Sequence, residues 1–335
     1  MKYLLYSDNH FCQYSSIIRG RGERYSLRLE NQIDTMNWIQ NLALDKGCDI
    51  VVCLGDFFDK PDLNVEEISA LKEIKWCNLP QAFIVGNHEM GLNDLSYNST
   101  SIFSLIPNSL VIDKPSTLNG DLVVLPYQLE NTRKPLAEYL EPFRKYNPEV
   151  ILSHNDIKGI QMGQFISQTG FTIEEIQENC RLFINGHIHN CGQVAKGIIN
   201  IGNITGQSFN ENAAVYNHHV IILDTESYTI EEIENPYAFN FYKIDATGGL
   251  NSTWKLNNNA VVSIKINPEE KEITRKWLDD NNVISSRIII NLMNKEVEDT
   301  SDVLTVDHIQ RFKEFIIDKL GSSELVLNEL EEVTK

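Results

Sequence analysis

The chain has 335 residues, 42% hydrophobic and 23% charged, an ordinary globular composition long enough for one large domain with a smaller attachment. No apolar run reaches membrane-spanning length, which excludes a helical membrane protein. The 47 acidic and 29 basic residues leave a net charge of -18; a free-standing nucleic-acid binder is normally basic, because phosphate contacts dominate such affinity.

A strand is expected at 3–7, ending at Asp8-Asn9-His10, then a loop over 9–25 and a helix over about 26–46, with Leu29, Ile33, Met36 and Ile39 at helical spacing. The strand at 49–54 ends at Gly55-Asp56. A helix near 64–74 and a strand at 82–85 lead to Gly86-Asn87-His88-Glu89. Strands at 122–126, 149–153 and 182–185 follow; the last two run into Ser153-His154-Asn155 and Gly186-His187-Ile188-His189. Segments 197–203, 218–225 and 228–234 read as strands of a second, partly antiparallel sheet. Two sheets face to face with helices outside make a two-sheet α/β sandwich.

After Pro236 the pattern changes. A strand at 260–266 precedes Asn267-Pro268-Glu269-Glu270, which combines an N-cap, a proline at the first helical position and first-turn acids. A helix to about Asp280 and a strand at 285–292 complete a βαβ unit. In 301–335, Ile309, Phe312, Ile316 and Leu320 share one helical face and Gly321 is a natural stop. The expected organisation is a main domain over 1–243, a small α/β cap over 244–300 and a helical tail over 301–335. Six cysteines without CxxC spacing read as reduced thiols, with no disulfide framework or zinc-thiolate site. A cleavable leader would remove Asp8 and His10, so a cytoplasmic location is expected.

The strand-end motifs carry the chemistry. Apolar runs of a parallel-type sheet deliver their C-terminal ends to a common edge, where α/β proteins place their sites. Asp8 and His10, two residues apart, can point to one side, and a carboxylate beside an imidazole suits Mn²⁺, Fe²⁺ or Zn²⁺ better than Ca²⁺. Asp56 has two oxygens to share between two cations. Asn87 offers a neutral amide oxygen, while the adjacent His88 can face a substrate, protonate a leaving alkoxide or steady developing charge. His154, His187 and His189 add imidazoles at two later strand ends. Each motif alone is a common turn or surface feature; five in this order at strand ends point to a pair of divalent cations. His218, His219 and His308 lie away from the motifs and read as structural.

These motifs, D-x-H, G-D, G-N-H-E, H and G-H-x-H over about 1–235, resemble the calcineurin-like metallophosphoesterase family. The resemblance implies one metal on Asp8, His10, Asp56 and His189, a second on Asp56, Asn87, His154 and His187, and His88 as the catalytic histidine that binds neither. It also implies that the metals, Mn²⁺ first and Mg²⁺ second, lower the pKa of a water between them, polarise the phosphoryl oxygens and orient in-line attack. Within the superfamily, Gly55-Asp56-Phe57-Phe58-Asp59 and Gly202-Asn203 with Phe209-Asn210-Glu211 resemble SbcD-type nuclease subunits of double-strand-break repair. Asn203, Asn9 and Phe11-Cys12 depart from that pattern without touching a proposed ligand.

That narrower resemblance implies exo- and endonuclease action on DNA, an SbcC-type coiled-coil ATPase bound through the tail, and a homodimer through helices near 64–75 and 95–106. Bound cations and the partner would then offset the acidity of the chain. The loop carrying Arg19, Arg21 and Arg24, with Arg28 beyond it, is the densest basic stretch and is expected to contact DNA phosphate. Competing expectations are a protein phosphatase, a small-nucleotide phosphodiesterase and a binding protein with a decayed site. Phosphatases resemble G-D-x-x-D-R-G, whose arginine grips the phosphoryl group, whereas here Lys60-Pro61 follows Asp59.

Overall fold

The computed structural model describes residues 1–162, 165–251 and 254–291. The expected tail, with His308, lies outside them. Met1–Ile290 pack as one unit built on two six-stranded sheets. The first sheet has the order Thr229–Glu234, His219–Asp224, Lys2–Tyr6, Ile50–Cys53, Gln81–Ile84, Ser109–Ile112. Its last four strands are parallel and its first three are joined antiparallel. The second sheet has the order Gly192–Ala195, Ile198–Asn200, Leu182–Asn185, Val150–Ser153, Leu122–Leu125, Ser116–Leu118, parallel through its four central strands.

Strand alternation builds the layers. Tyr3, Leu5, Val52 and Ile84 meet Leu122, Val124, Leu152 and Ile184 between the sheets, while Leu4, Tyr6, Val51 and Cys53 face outward onto the helix Leu27–Asp45. Strands buried on both faces read as continuous apolar runs, which is why they were legible. The helix starts where Ser26 caps it, its hydroxyl accepting from the Leu29 N–H at 3.3 Å, and it buries Leu29, Ile33, Met36, Ile39 and Ala43.

Two expectations fail, one on strand pairing and one on helix type. The strands His219–Asp224 and Thr229–Glu234 complete the first sheet, and only Ile198–Asn200 joins the second. The helix expected near 95–106 is a strand, Asp94–Asn98, followed by a 3₁₀ helix, Ser99–Leu105; its run of Ser, Asn and Thr disfavours α-helix interiors. The βαβ unit is present as Ala260–Ile266, the helix Lys271–Asp280 and Ser285–Ile290, all in parallel register, and a strand not marked in the sequence, Asn240–Asp245, extends it to three strands.

Candidate metal centre

The strand ends that carry the motifs belong to both sheets. Lys2–Tyr6, Ile50–Cys53 and Gln81–Ile84 deliver Asp8, His10, Asp56 and Asn87, while Val150–Ser153 and Leu182–Asn185 deliver His154, His187 and His189. The two sheets therefore meet at the site. Asp8 and His10 N–H groups bond the Gly55 and Asp56 carbonyls at 3.1 and 3.0 Å, locking the first two loops together. Asp8, His10, Asp56 and His187 all have φ between 45° and 69°, left-handed conformations that cost on the order of 1–3 kcal/mol each and cluster at functional sites. Gly86 has no Cβ because one would overlap the Asp56 carboxylate.

Two groups of ligand atoms converge. Asp8, His10 and His189 form one: the His10 and His189 Nε2 atoms face each other at 3.1 Å and lie 3.8 and 3.9 Å from Asp8 Oδ1. Asp56, His154 and His187 form the other, with His154 Nε2 3.1 Å from Asp56 Oδ2. The same Asp56 oxygen is 3.9 Å from His10 Nε2, so one carboxylate serves both groups. Asn87 sits between Gly86 and His88, and the His88 N–H donates to Asp56 Oδ1 at 3.0 Å. His88 also comes within reach of His10 and Asp56, but it is exposed and its Nδ1 is engaged elsewhere.

The residues fit a pair of divalent cations on their own geometry. Asp8 Oδ1 and Asn87 Oδ1 are buried without a hydrogen-bond partner. Leaving such an atom unsatisfied costs on the order of 1–3 kcal/mol. One oxygen from each of two loops is thus held bare, both acceptors with lone pairs for a cation.

The ring orientations come from residues that sequence reasoning did not assign roles. His10 Nδ1 bonds Asp59 Oδ1 at 3.0 Å, His189 Nδ1 bonds Glu211 Oε1 at 2.9 Å, and His187 Nε2 bonds Asp156 Oδ1 at 3.1 Å. His154 Nδ1 donates to the Leu54 carbonyl at 2.7 Å. Each such bond fixes a tautomer and aims the other ring nitrogen inward. Arg28 and Gln32, one helical turn apart, both donate to the His10 carbonyl, at 3.1 and 2.9 Å. Glu89 is buried and accepts from the Gly86 and Phe58 N–H groups at 2.7 and 3.2 Å, joining the third loop to the second.

Charge is tightly balanced. Burial alone would raise the Asp8 carboxyl, but the His10, His154 and His189 imidazoles beside it hold it down to about 2. Asp56 is likewise held low against its burial, chiefly by His154. Burial would lower the two imidazoles, yet the carboxylates lift His10 to about 10, through Asp59 and Asp8, and His154 to about 9, through Asp56. Burial, with Asp56 nearby, pushes Glu89 up to about 8. Protons thus occupy the imidazoles in the positions where cations would sit.

His88 is arranged differently. Its Nδ1 donates to the Asp59 carbonyl at 3.0 Å, leaving Nε2 free towards a cleft of about 450 Å³ lined by Asp56, His88, His187, His189, Gln207, Ser208 and Asn210 among others. The arginines do not join the site. Arg21 pairs with Glu66 at 2.7 Å, Arg24 pairs with Glu73, and Arg19 Nε donates to the Ser16 carbonyl at 2.9 Å. Arg28, expected in the same basic patch, is 4% exposed and holds the His10 loop instead. His218 and His219 are buried at the start of their strand, His218 Nδ1 bonding the Asn203 carbonyl.

Residues 1–191, more than half of the chain, match the family model described as calcineurin-like phosphoesterase. The chain belongs to that family and is a metal-dependent hydrolase acting on phosphoester bonds. No curated protein matches it. Among solved structures, it is similar to an archaeal phosphodiesterase (14% identity, 70% of this chain and 99% of that one, TM-score 0.36). It is also similar to a Thermus thermophilus protein (10%, 70% and 98%, TM-score 0.41) and to a dimetal phosphatase from Danio rerio (13%, 70% and 98%, TM-score 0.40).

Proposed function

We propose that the chain is a two-metal DNA nuclease subunit of SbcD type, hydrolysing phosphodiester bonds in double-strand-break processing and recombination. The observation that carries the reading over a phosphomonoesterase is the cleft wall: amides, a hydroxyl, imidazoles and carboxylates, with no lysine or arginine among its lining residues. A phosphomonoester dianion favours a bidentate guanidinium grip. A diester carries a single charge and continues on both sides, so an open cleft without a lysine or arginine grip accommodates it.

Asp8, His10, Asp56 and His189 would hold one cation and Asp56, Asn87, His154 and His187 the other, Mn²⁺ before Mg²⁺. When bound, the cations supply a water of lowered pKa and polarise the phosphoryl oxygens. The chain's own part is to orient the diester along Gln207, Ser208 and Asn210 and to deliver a proton from His88 Nε2 to the leaving alkoxide. The Nδ1–H bond to the Asp59 carbonyl keeps His88 in the orientation that reaches the cleft.

The chain would act on DNA with an SbcC-type coiled-coil ATPase, docked through 301–335, in the cytoplasm of a bacterial or phage-infected cell. An apolar groove of about 230 Å³ lined by Ile68, Leu71, Ile74, Trp76, Ile102 and Phe103 supports pairing with a second copy. No helix among the described residues is long and apolar enough to cross a membrane.

The deciding assay supplies Mn²⁺ with linear double-stranded DNA, single-stranded DNA, bis-p-nitrophenyl phosphate and a phosphopeptide. DNA cleavage abolished by His88→Ala is expected. Turnover of the phosphopeptide alone would refute the nuclease. A triple Arg19/Arg21/Arg24→Ala variant should bind DNA more weakly with a flatter salt dependence; unchanged binding would remove the loop from the interface.

A further inference from the structure

The segment Asn203–Glu211 follows the second sheet and is fastened to the metal loops from outside. Its Ile204 N–H donates to the Ser7 carbonyl at 3.0 Å, and Gln207 Nε2 donates to the Asp8 carbonyl at 3.1 Å. Its outer end packs on the three-stranded sheet, where Phe209 and Phe241 ring centroids lie 5.2 Å apart and the Ala213 N–H bonds the Phe241 carbonyl at 2.8 Å. At its C-terminal end is Glu211, 3% exposed.

Four donors surround this one carboxylate. Oε1 accepts from His189 Nδ1 at 2.9 Å and from Ser208 Oγ at 3.3 Å; Oε2 accepts from Asn203 Nδ2 and the Gln207 N–H, each at 2.7 Å. Three of these donors belong to the segment itself, so the carboxylate cannot swing away from the fourth. A carboxylate only accepts, so His189 must carry its proton on Nδ1. That turns the bare Nε2 to His10 Nε2, 3.1 Å away, and towards Asp8.

We propose that Glu211 is the positioning residue of the first metal site, acting through His189 by fixing its tautomer and direction and strengthening it as a ligand. The proposal rests on the two-cation reading above. It differs from a packing role: a neutral, isosteric residue would fill the same space but would not hold the imidazole proton as firmly.

The test is Mn²⁺ titration by calorimetry, with electron paramagnetic resonance of the loaded protein, on the full chain and its Glu211→Ala and Glu211→Gln variants. Glu211→Ala should weaken one of two sites by about 10–100-fold, leave the other unchanged and lose the spin-coupled di-manganese signal. Glu211→Gln retains an amide oxygen for the Nδ1–H and should weaken the same site by less than about 10-fold. Thermal unfolding in chelator shows whether each variant folds; if Glu211→Ala does not, the single-site loss in Glu211→Gln carries the test. Two sites of unchanged affinity in a folded variant, or equal weakening of both, would overturn the proposal. A wild-type protein that binds fewer than two Mn²⁺ ions would instead overturn the two-cation reading on which it rests.

Discussion

Replacing His88 with alanine separates chemistry from architecture. The side chain is 42% exposed, and its polar contacts are the Nδ1 bond to the Asp59 carbonyl and an ion-pair approach to Asp59 Oδ1 at 3.7 Å. Its ring also meets His10 edge-on at 4.6 Å between centroids, a contact worth about 0.5–1.5 kcal/mol. Stability should therefore fall by about 1–2 kcal/mol, and both cations should still bind, because each ligand group is complete without it. Turnover should fall by about 10²–10⁴-fold, the usual share of a positioned acid, or about 3–6 kcal/mol at about 1.4 kcal/mol per decade. The deficit should be larger for a DNA or alkyl diester, whose leaving alkoxide needs a proton, than for bis-p-nitrophenyl phosphate, whose leaving phenolate needs little help. Steady-state kinetics on both substrates, with metal stoichiometry from calorimetry, decides it. Equal losses on the two esters would refute proton delivery, and a drop to one bound ion would make His88 a ligand.

Asp56→Asn keeps the shape and the bond from the His88 N–H but removes the charge shared by both groups. Mn²⁺ titration should show both sites weakened by about 100-fold or more, beyond the range of an outer-shell change. Metal-free stability should fall by about 3–5 kcal/mol in denaturant melts, as for a broken buried pair. Gly86→Ala drives a Cβ into the Asp56 carboxylate, which should cost about 1–3 kcal/mol by overpacking and displace Asp56 enough to abolish activity. For pH, His10 and His154 stand at about 10 and 9, above their unfolded value. Their stabilisation of the metal-free protein is complete below about pH 6.5 and is lost as pH rises through 9 to 10. Glu89, raised to about 8, loses its contribution in the same direction. Asp8, at about 2, contributes above about pH 4 and fails as pH falls through 2. Melting temperature in chelator should therefore decline from pH 7 to 10, and Mn²⁺ affinity should climb over pH 6 to 9 as ions displace protons; a flat profile for both would refute the charge assignment.

The proposed ligands were legible because each sits one to four residues beyond a strand buried on both faces, and such strands announce themselves as apolar runs. What could not be read was pairing. His219–Asp224 is an apolar run like the others, but its antiparallel register against Lys2–Tyr6 joins segments more than 200 residues apart, and nothing local distinguishes that partner from the second sheet. The orienting acids were hidden for the same reason. Asp59 lies 49 residues from His10, Asp156 31 from His187 and Glu211 22 from His189, with no periodicity to link them. Asp59 and Glu211 fell inside motifs already noticed for resemblance, and Asp156 is two residues past His154. An acid within three residues of a strand-end ligand was the signal available for Asp59 and Asp156; Glu211, 22 residues past His189, had none of that kind.

The acidity of the chain looks different once these acids are located. Asp8, Asp56, Asp59, Asp156 and Glu211 all approach the five imidazoles, four of them aimed inward. Part of the -18 charge therefore lies at the candidate site and not on a surface facing solvent. The reverse holds for the basic loop: Arg21 and Arg24 are already matched by Glu66 and Glu73, and Arg28 is spent on the His10 backbone. Exposed ion pairs of this kind are worth only about 0–1 kcal/mol each, so an incoming phosphate can displace Glu66 and Glu73 at little cost, but it gains correspondingly little net attraction. On the proposed nuclease reading, DNA affinity from the described surface alone would then come mainly from cations in the cleft. Such a nuclease would grip the scissile phosphate strongly and the rest of the duplex weakly, the arrangement in which the proposed ATPase partner has the most to add.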